Sequence, residues 1–352
     1  MLGTAKPTQP MPSDARRSAE FMASSHVPIL EVFAKQVPEQ SSAFRHIAAH
    51  FTVPKPAFDV SNPRMTPTPL PLPVVKLDRG IHVMHLFHKI DRVRWAALPP
   101  GESGRILSRL EALCAANSSP THPRLVTYAN TGGKADLAFM IYAETLGAAA
   151  QIHRELEAAF PPGILQVVYS YLSVTELSEY MTTDEENRQR LETQEQLAPD
   201  TEAFATRLAE LTRLRQEYEQ YRLYPEMPDW EIMCFYPMNK RRAGVDNWYV
   251  LDFSARKKLM AGHARVGRKF AGRISQLITG STGIDDWEWG VTLMAHQLDA
   301  IKEIVYEMRF DEVSARYGEF GEFYINLRLA PAALWEHLKL SQSPVASGVS
   351  RI

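Results

Sequence analysis

KADLAFMIYA, residues 134–143, and IDDWEWGVTL, residues 284–293, share one construction in two parts of the chain. Each begins with a short turn ending in aspartate and passes into a mostly apolar seven-residue run. Each then leads straight into an amphipathic helical pattern, Leu146–Phe160 in the first case. In the second, Leu298, Ile301, Val305 and Met308 form the apolar stripe. A strand feeding a helix twice over predicts an internal duplication. The segments that flank each copy complete the same unit.

Before the first copy, Ile81, Val83, His85 and Phe87 alternate with His82, Met84, Leu86 and His88, as in a strand buried on both faces. A helix over Gly101–Ala116 and a strand over Arg124–Asn130 follow, and the turn TGGK leads into the next strand. QVVYSYLSVTEL, after the second helix, closes the unit. In the second half, a strand over Trp230–Met238 precedes a helix capped by Ser254 and stopped near Gly267. A strand over Phe270–Gly280, the IDDWEWGVTL copy, its helix and a strand over Phe323–Leu329 follow. The order β-α-β-β-α-β therefore occurs twice. That predicts an α+β fold of two ferredoxin-like halves, residues 76–180 and 228–330, with their sheets packed as an α+β barrel.

The remaining segments are of another kind. Half of the 24 prolines fall before residue 74, so residues 1–75 read as an extended, poorly ordered arm. Residues 181–227 form a charged connector in which Phe204, Leu208, Leu211 and Leu214 mark one stripe of a helix. Residues 331–352 read as a tail, frayed after Ser341. The 352 residues carry a net charge of −2, which argues against a general nucleic-acid binder. Cys114 and Cys234 give neither a disulfide framework nor a metal-ligand pattern, so a reducing, cytoplasmic setting is expected. No stretch approaches the roughly 20 apolar residues of a membrane span. Arg16, Arg17 and neighbouring serines leave a transit peptide open.

Candidate chemistry concentrates in residues 236–276. Tyr236, Met238 and Lys240 fall at alternate positions of a strand that must continue past Pro237, a residue that implies an edge or bulge. His263 lies near the end of the following helix. Gln276 is an amide on the otherwise apolar face shared by Phe270, Gly272, Ile274 and Ile278. An oxidisable phenol, a cation, one imidazole and a neutral amide suggest a haem pocket, because haem iron needs only one proximal histidine. Arg222, Arg309 and Ser314 are each compatible with carboxylate anchoring or with an ordinary surface role. His82, His85 and His88 invite a metal-cluster reading, but strand alternation sends His85 to the opposite face.

From Lys76 to Leu327 the chain resembles the coproheme decarboxylases, members of the chlorite dismutase-like family of haem proteins. The resemblance rests on YPEMPDWE, CFYPMNKRR, DNWY, GHARVGRKFAG, QLITGSTGIDDWEWGVTL and IVYEMRFDEVSARYGEFG. It implies a duplicated ferredoxin-like barrel, commonly a homopentamer, with the haem in the C-terminal half. By motif position, it implies His263 as iron ligand, Tyr236 as radical-forming catalytic residue and Lys240 as the lysine beside the reacting propionate. Met238 would line the pocket and Gln276 would lie above the iron. Arg222, Arg309 and Ser314 would anchor propionates. The implied cofactor and substrate is Fe-coproporphyrin III (coproheme), with hydrogen peroxide as oxidant and haem b as product. A transient contact with coproporphyrin ferrochelatase belongs to the same expectation. Chlorite dismutases place an arginine where Gln276 stands. The alternatives are a chlorite dismutase or haem peroxidase, or a haem carrier or sensor on the same fold. The proline-rich arm and the connector depart from the family pattern.

Overall fold

The computed structural model describes residues 74–341; the arm up to residue 73 and the tail from residue 342 lie outside the described residues. The first half runs β1 (His82–Ile90), α1 (Arg92–Ala96), α2 (Glu102–Ala116), β2 (Arg124–Thr131), β3 (Leu137–Ala143), α3 (Leu146–Ala158) and β4 (Leu165–Thr175). The connector holds α4 (Asp184–Thr193) and α5 (Glu202–Leu223). The second half runs β5 (Ile232–Lys240), α6 (Phe253–Arg268), β6 (Ser275–Gly280), β7 (Trp289–Ala295), α7 (Leu298–Met308), β8 (Gly318–Phe320) and β9 (Tyr324–Arg328). A final helix, α8 (Pro331–His337), follows.

The strands pair in the order β7-β6-β4-β1-β3-β2-β9-β5-β8, and a β7–β5 pairing closes the ring around all but β8. Every ladder is antiparallel. Numbering strands within each half, both read 4-1-3-2: β4-β1-β3-β2 and β9-β5-β7-β6. The duplication expected from the sequence is thus present in the topology. The halves join at two seams, β4–β6 (Val174↔Gly280) and β2–β9 (Tyr128↔Arg328).

Closure explains the apolar strands. Every residue of LAFMIYA is buried because β3 has one face in the barrel and one under helices. Ala138, Met140 and Tyr142 point inward, to a core with Phe87, Phe235 and Tyr324. Leu137, Phe139 and Ile141 point outward, to α2 and α3 residues such as Ile106, Leu110 and Ile152. β1 divides its histidines the same way. His85 faces inward, stacks on Phe235 with ring centres 4.2 Å apart, and lies 2.9 Å from Thr292 Oγ1. Burial pushes its imidazole down to about 3, so it is neutral. His88 lies outside, against Phe139. The three do not converge.

Several boundaries differ from the sequence-based expectation. The α6 cap is Asp252, whose carboxylate accepts from the Ala255 N–H at 2.8 Å, and the helix runs on to Arg268. Residues 270–274 are a turn rather than strand; Ile274 N–H bonds back to the Phe270 carbonyl at 2.9 Å, and Gly272 sits at φ +81°. Pro237 lies within β5, at the gap where that edge passes from β9, which pairs up to Phe235, to β8, which begins at Met238. Its missing N–H therefore interrupts no ladder on that edge. Along α7, Leu298 is exposed, and Ala300, Ile301 and Ile304 carry the buried stripe. In α5 only Phe204 and Leu223 are buried. Within the expected tail, α8 packs Leu334 and Trp335 into the first-half core. No helix among the described residues is long and apolar enough to cross a membrane.

Candidate functional site

Alternation along β5 sends Ile232, Cys234 and Tyr236 to the helix-covered outer face of the second half. Tyr236 is only 6% exposed; its ring stacks on Phe323 at 4.3 Å between centres and lies 6.0 Å from Phe320. Burial, with a smaller push from Cys234, drives its phenol well above the ordinary range, against the opposing charge of Arg309. At neutral pH it keeps its hydrogen. Met238, next on the same face, pairs with Trp289 on one side and Phe320 on the other.

Lys240 ends the strand at 8% exposure, with Nζ 4.8 Å from the centre of the Trp248 ring. Burial pushes its ammonium down to about 8, although Asp311 and Glu288 pull it back up. It forms no ion pair within 4 Å among the described residues. A buried cation without a paired anion is a ready partner for a carboxylate.

His263 projects from α6, and its Nδ1 lies 3.1 Å from Asp311 Oδ2. Asp311 also accepts from the Val313 N–H at 3.0 Å and the Ser314 N–H at 3.4 Å, at the start of a π-helical turn over Val313–Tyr317. Burial pushes this carboxyl up, but the bonds from His263 and Ser314 outweigh it and hold the group below its usual range. A carboxylate on Nδ1 fixes the tautomer and leaves Nε2 free for a metal. Among the described residues no cluster of three or more His, Cys, Asp or Glu could hold a metal ion. Any metal at His263 must therefore bring most of its own ligands, as haem iron does.

The helix carrying His263 differs from its counterpart in the first half. α2 buries Ile106, Leu110 and Leu113. In α6 no residue is buried: Leu259 and Met260 pack only partly against Trp248, Val313 and Tyr317, and His263, Val266 and Gly267 are half covered. Gly267, one turn on from His263, comes close to β6: a Cβ there would stand 3.4 Å from Met308 Cε and 3.8 Å from the amide nitrogen of half-buried Gln276. An amphipathic helix with an incompletely covered apolar face is a surface that a flat ligand would complete.

Arg222, from the end of α5, donates to the Ile278 carbonyl at 3.3 Å, and its buried Nε has no partner. Arg309 lies over the Phe320 ring at 4.1 Å. Ser314 is buried at 9% and already engaged with Asp311. All eight predicted residues thus fall in or beside the second half, but they form three groups, of which Tyr236, Met238 and Arg309 beside Phe320 are one. His263, Ser314 and Lys240 gather about Asp311, whereas Gln276 and Arg222 lie along β6. Tyr236, Gln276 and His263 make no hydrogen bond to one another. Sequence reasoning missed Asp311, Trp248 and Phe320, although all three fall inside the motifs DNWY and FDEVSARYGEFG. Two open grooves of about 490 and 480 Å³ lie along α5, lined by residues such as His122 and Tyr221 or Phe204 and Leu208, away from this chemistry.

A planar iron macrocycle bearing carboxylates needs one free imidazole nitrogen, an apolar slot and cations at its rim. His263, the α6–β6 face, Lys240, Arg222 and Arg309 fit those needs.

A family model described as chlorite dismutase matches residues 104–329. A heme-binding protein from Thermus thermophilus is 36% identical over 77% of this chain and 99% of its own, with a TM-score of 0.61. A mutant chlorite dismutase from Candidatus Nitrospira defluvii is 18% identical over 76% of this chain and 98% of its own, with a TM-score of 0.56. At that identity the second likeness is one of fold.

Proposed function

Because the chain belongs to the chlorite dismutase family, we propose that its C-terminal site converts Fe-coproporphyrin III to haem b. In this reading the substrate loses two of its four propionate carboxyls, with hydrogen peroxide as oxidant. Each propionate gives up CO2 and two hydrogens to become a vinyl group, and one peroxide takes up those hydrogens as two waters. The observation that carries the reading is the pairing, on one face of β5, of the buried phenol Tyr236 with the buried, unpaired ammonium Lys240. A haem carrier has no use for that pair.

When bound, the iron porphyrin supplies oxidising power from peroxide. His263 would hold the iron through Nε2, with Asp311 on Nδ1 orienting the ring. Tyr236, held protonated by burial, is the residue that would pass on a hydrogen atom and recover one from the β-carbon of the adjacent propionate, the bound group supplying the oxidation and taking up the second electron released with CO2. Lys240 pairs with that propionate's carboxylate until CO2 departs. Phe320 lies 6.0 Å from the phenol ring and pairs across the strands with Met238. Arg222 and Arg309 would hold the propionates that are kept, whereas the Ser314 hydroxyl is already committed to Asp311. Gln276 offers a neutral amide where an arginine would favour an oxychlorine anion, which supports decarboxylation over chlorite chemistry. The free cysteines Cys114 and Cys234 suit a reducing, cytoplasmic setting. A homopentamer in transient contact with coproporphyrin ferrochelatase completes the reading.

Mass spectrometry of the porphyrin, after purified protein is given coproheme and titrated peroxide, tests this directly. Stepwise loss of two carboxyls ending at haem b is expected, and Tyr236→Phe should slow it at least a hundredfold. Bound coproheme left intact or merely bleached would overturn the proposal.

A further inference from the structure

Glu288 is a carboxylate at the entry to β7, 3% exposed, in the run WEWG between two tryptophans. It touches neither Tyr236 nor His263, yet both of its oxygens are fully used. Oε2 accepts from the Lys240 backbone N–H at 2.8 Å. Oε1 accepts from the Tyr249 hydroxyl at 2.6 Å and from Arg242 Nε at 3.1 Å, with Arg242 Nη2 bonding there as well. Its own N–H donates to Asn239 Oδ1 at 2.8 Å, and its carbonyl accepts from Ser281 N–H at 2.8 Å. One side chain therefore gathers three points of the segment 240–249.

That segment carries the groups that matter. Trp248 N–H returns to the Arg241 carbonyl at 2.9 Å, and Arg241 N–H reaches the Tyr317 carbonyl at 2.8 Å. These bonds seat the Trp248 ring, 3% exposed, against Tyr317 at 5.3 Å and under the Lys240 ammonium. A buried carboxylate accepting this many charge-assisted bonds fixes geometry well, because losing any one leaves a buried charge short of partners.

We propose that Glu288 is a positioning residue: it pins the 240–249 segment to β7 and so holds the Lys240 ammonium and the Trp248 ring at the site. The purpose of that ammonium rests on the proposed decarboxylation; the pinning does not. The carboxylate also contributes a fixed negative charge near Lys240, which helps keep the ammonium protonated.

The experiment compares ligand-free wild type with Glu288→Gln, using hydrogen exchange of the peptide spanning 239–250 and amine labelling of Lys240. Exchange should rise at least tenfold and labelling severalfold, with peptides from α2 and α3 unchanged. In coproheme turnover kcat should fall tenfold or more with KM within about threefold, a split that a merely structural anchor would not produce. If Glu288→Gln fails to fold, the double variant Arg242→Gln/Tyr249→Phe, which leaves Glu288 in place, should show the same local loosening. Unchanged exchange and labelling in a folded variant would overturn the proposal, as would loosening with kcat intact. Failure of wild type to convert coproheme would instead count against the function proposed above, and the ligand-free measurements would still decide the role of Glu288.

Discussion

Lys240 shows how a single side chain can be held at a cost to the fold. Its pKa in the folded protein is near 8, against an ordinary 10.5, because burial disfavours the ammonium. The folded pKa is the lower one, so below about pH 8 both states are protonated and the burial cost is fully present. Between pH 8 and 10.5 the unfolded chain binds more protons, and the cost diminishes as pH rises. Lys240→Met should therefore stabilise the protein at pH 7 by on the order of 1–3 kcal/mol while abolishing turnover. Urea unfolding at pH 7 and pH 10.5 checks this: the gain should shrink at the higher pH, and a less stable variant at pH 7 would contradict it. Asp311 makes the complementary case, a group used through another. Asp311→Asn keeps the shape but removes the negative charge facing His263 Nδ1, and should weaken binding of iron porphyrin about 10–100-fold. Titration followed by haem absorption reads the change; equal affinity would sink the assignment. Tyr236, Lys240 and His263 stand out as candidates in the sequence because each belongs to a long motif on a regular element. Asp311 was not singled out, since an aspartate just after a helix has an ordinary capping role and only the fold brings it to His263.

At the scale of one element, α6 holds both the proposed iron ligand and the boundaries hardest to read. Its periodicity is visible in the sequence, but its first turn offers Asp252 and Ser254, either of which is a good cap residue. The choice falls to Asp252 because its carboxylate reaches the Ala255 N–H at 2.8 Å. Likewise, KFAGRIS carries apolar residues that suit a strand, yet Gly272 at φ +81° turns the chain there. Asp252→Ala should cost about 1 kcal/mol and fray the start of α6. Because no residue of α6 is buried, ligand binding should complete the packing of this helix. Adding coproheme without peroxide should slow hydrogen exchange in the 253–268 peptide more than in the 102–116 peptide, whose Ile106, Leu110 and Leu113 are already buried. Equal protection of both would remove the case for a ligand under α6.

For the whole molecule, duplication and closure have opposite consequences. Duplication gives each half a complete 4-1-3-2 sheet with its own helices, which suggests two independent units. Closure makes each sheet's edges the other's partners: β4 needs β6, and β2 needs β9. The sequence showed the two units readily, since hydrophobic periodicity is local. It could not show the seams, where Asn130 donates to Asn326 Oδ1 at 2.8 Å and Asn326 in turn donates to the Tyr324 carbonyl at 3.0 Å. The core within the ring, with Phe87 and Tyr142 from one half and Phe235 and Tyr324 from the other, has no counterpart in either half alone. A fragment of residues 228–330 would expose both sheet edges and that apolar face, so it should not fold by itself. Circular dichroism and thermal unfolding of the fragment should show no cooperative transition, whereas the full chain should unfold with both halves in one step. A cooperative transition in the isolated fragment would mean that the second half holds its site without the first, and the barrel would then serve assembly rather than the stability of the fold.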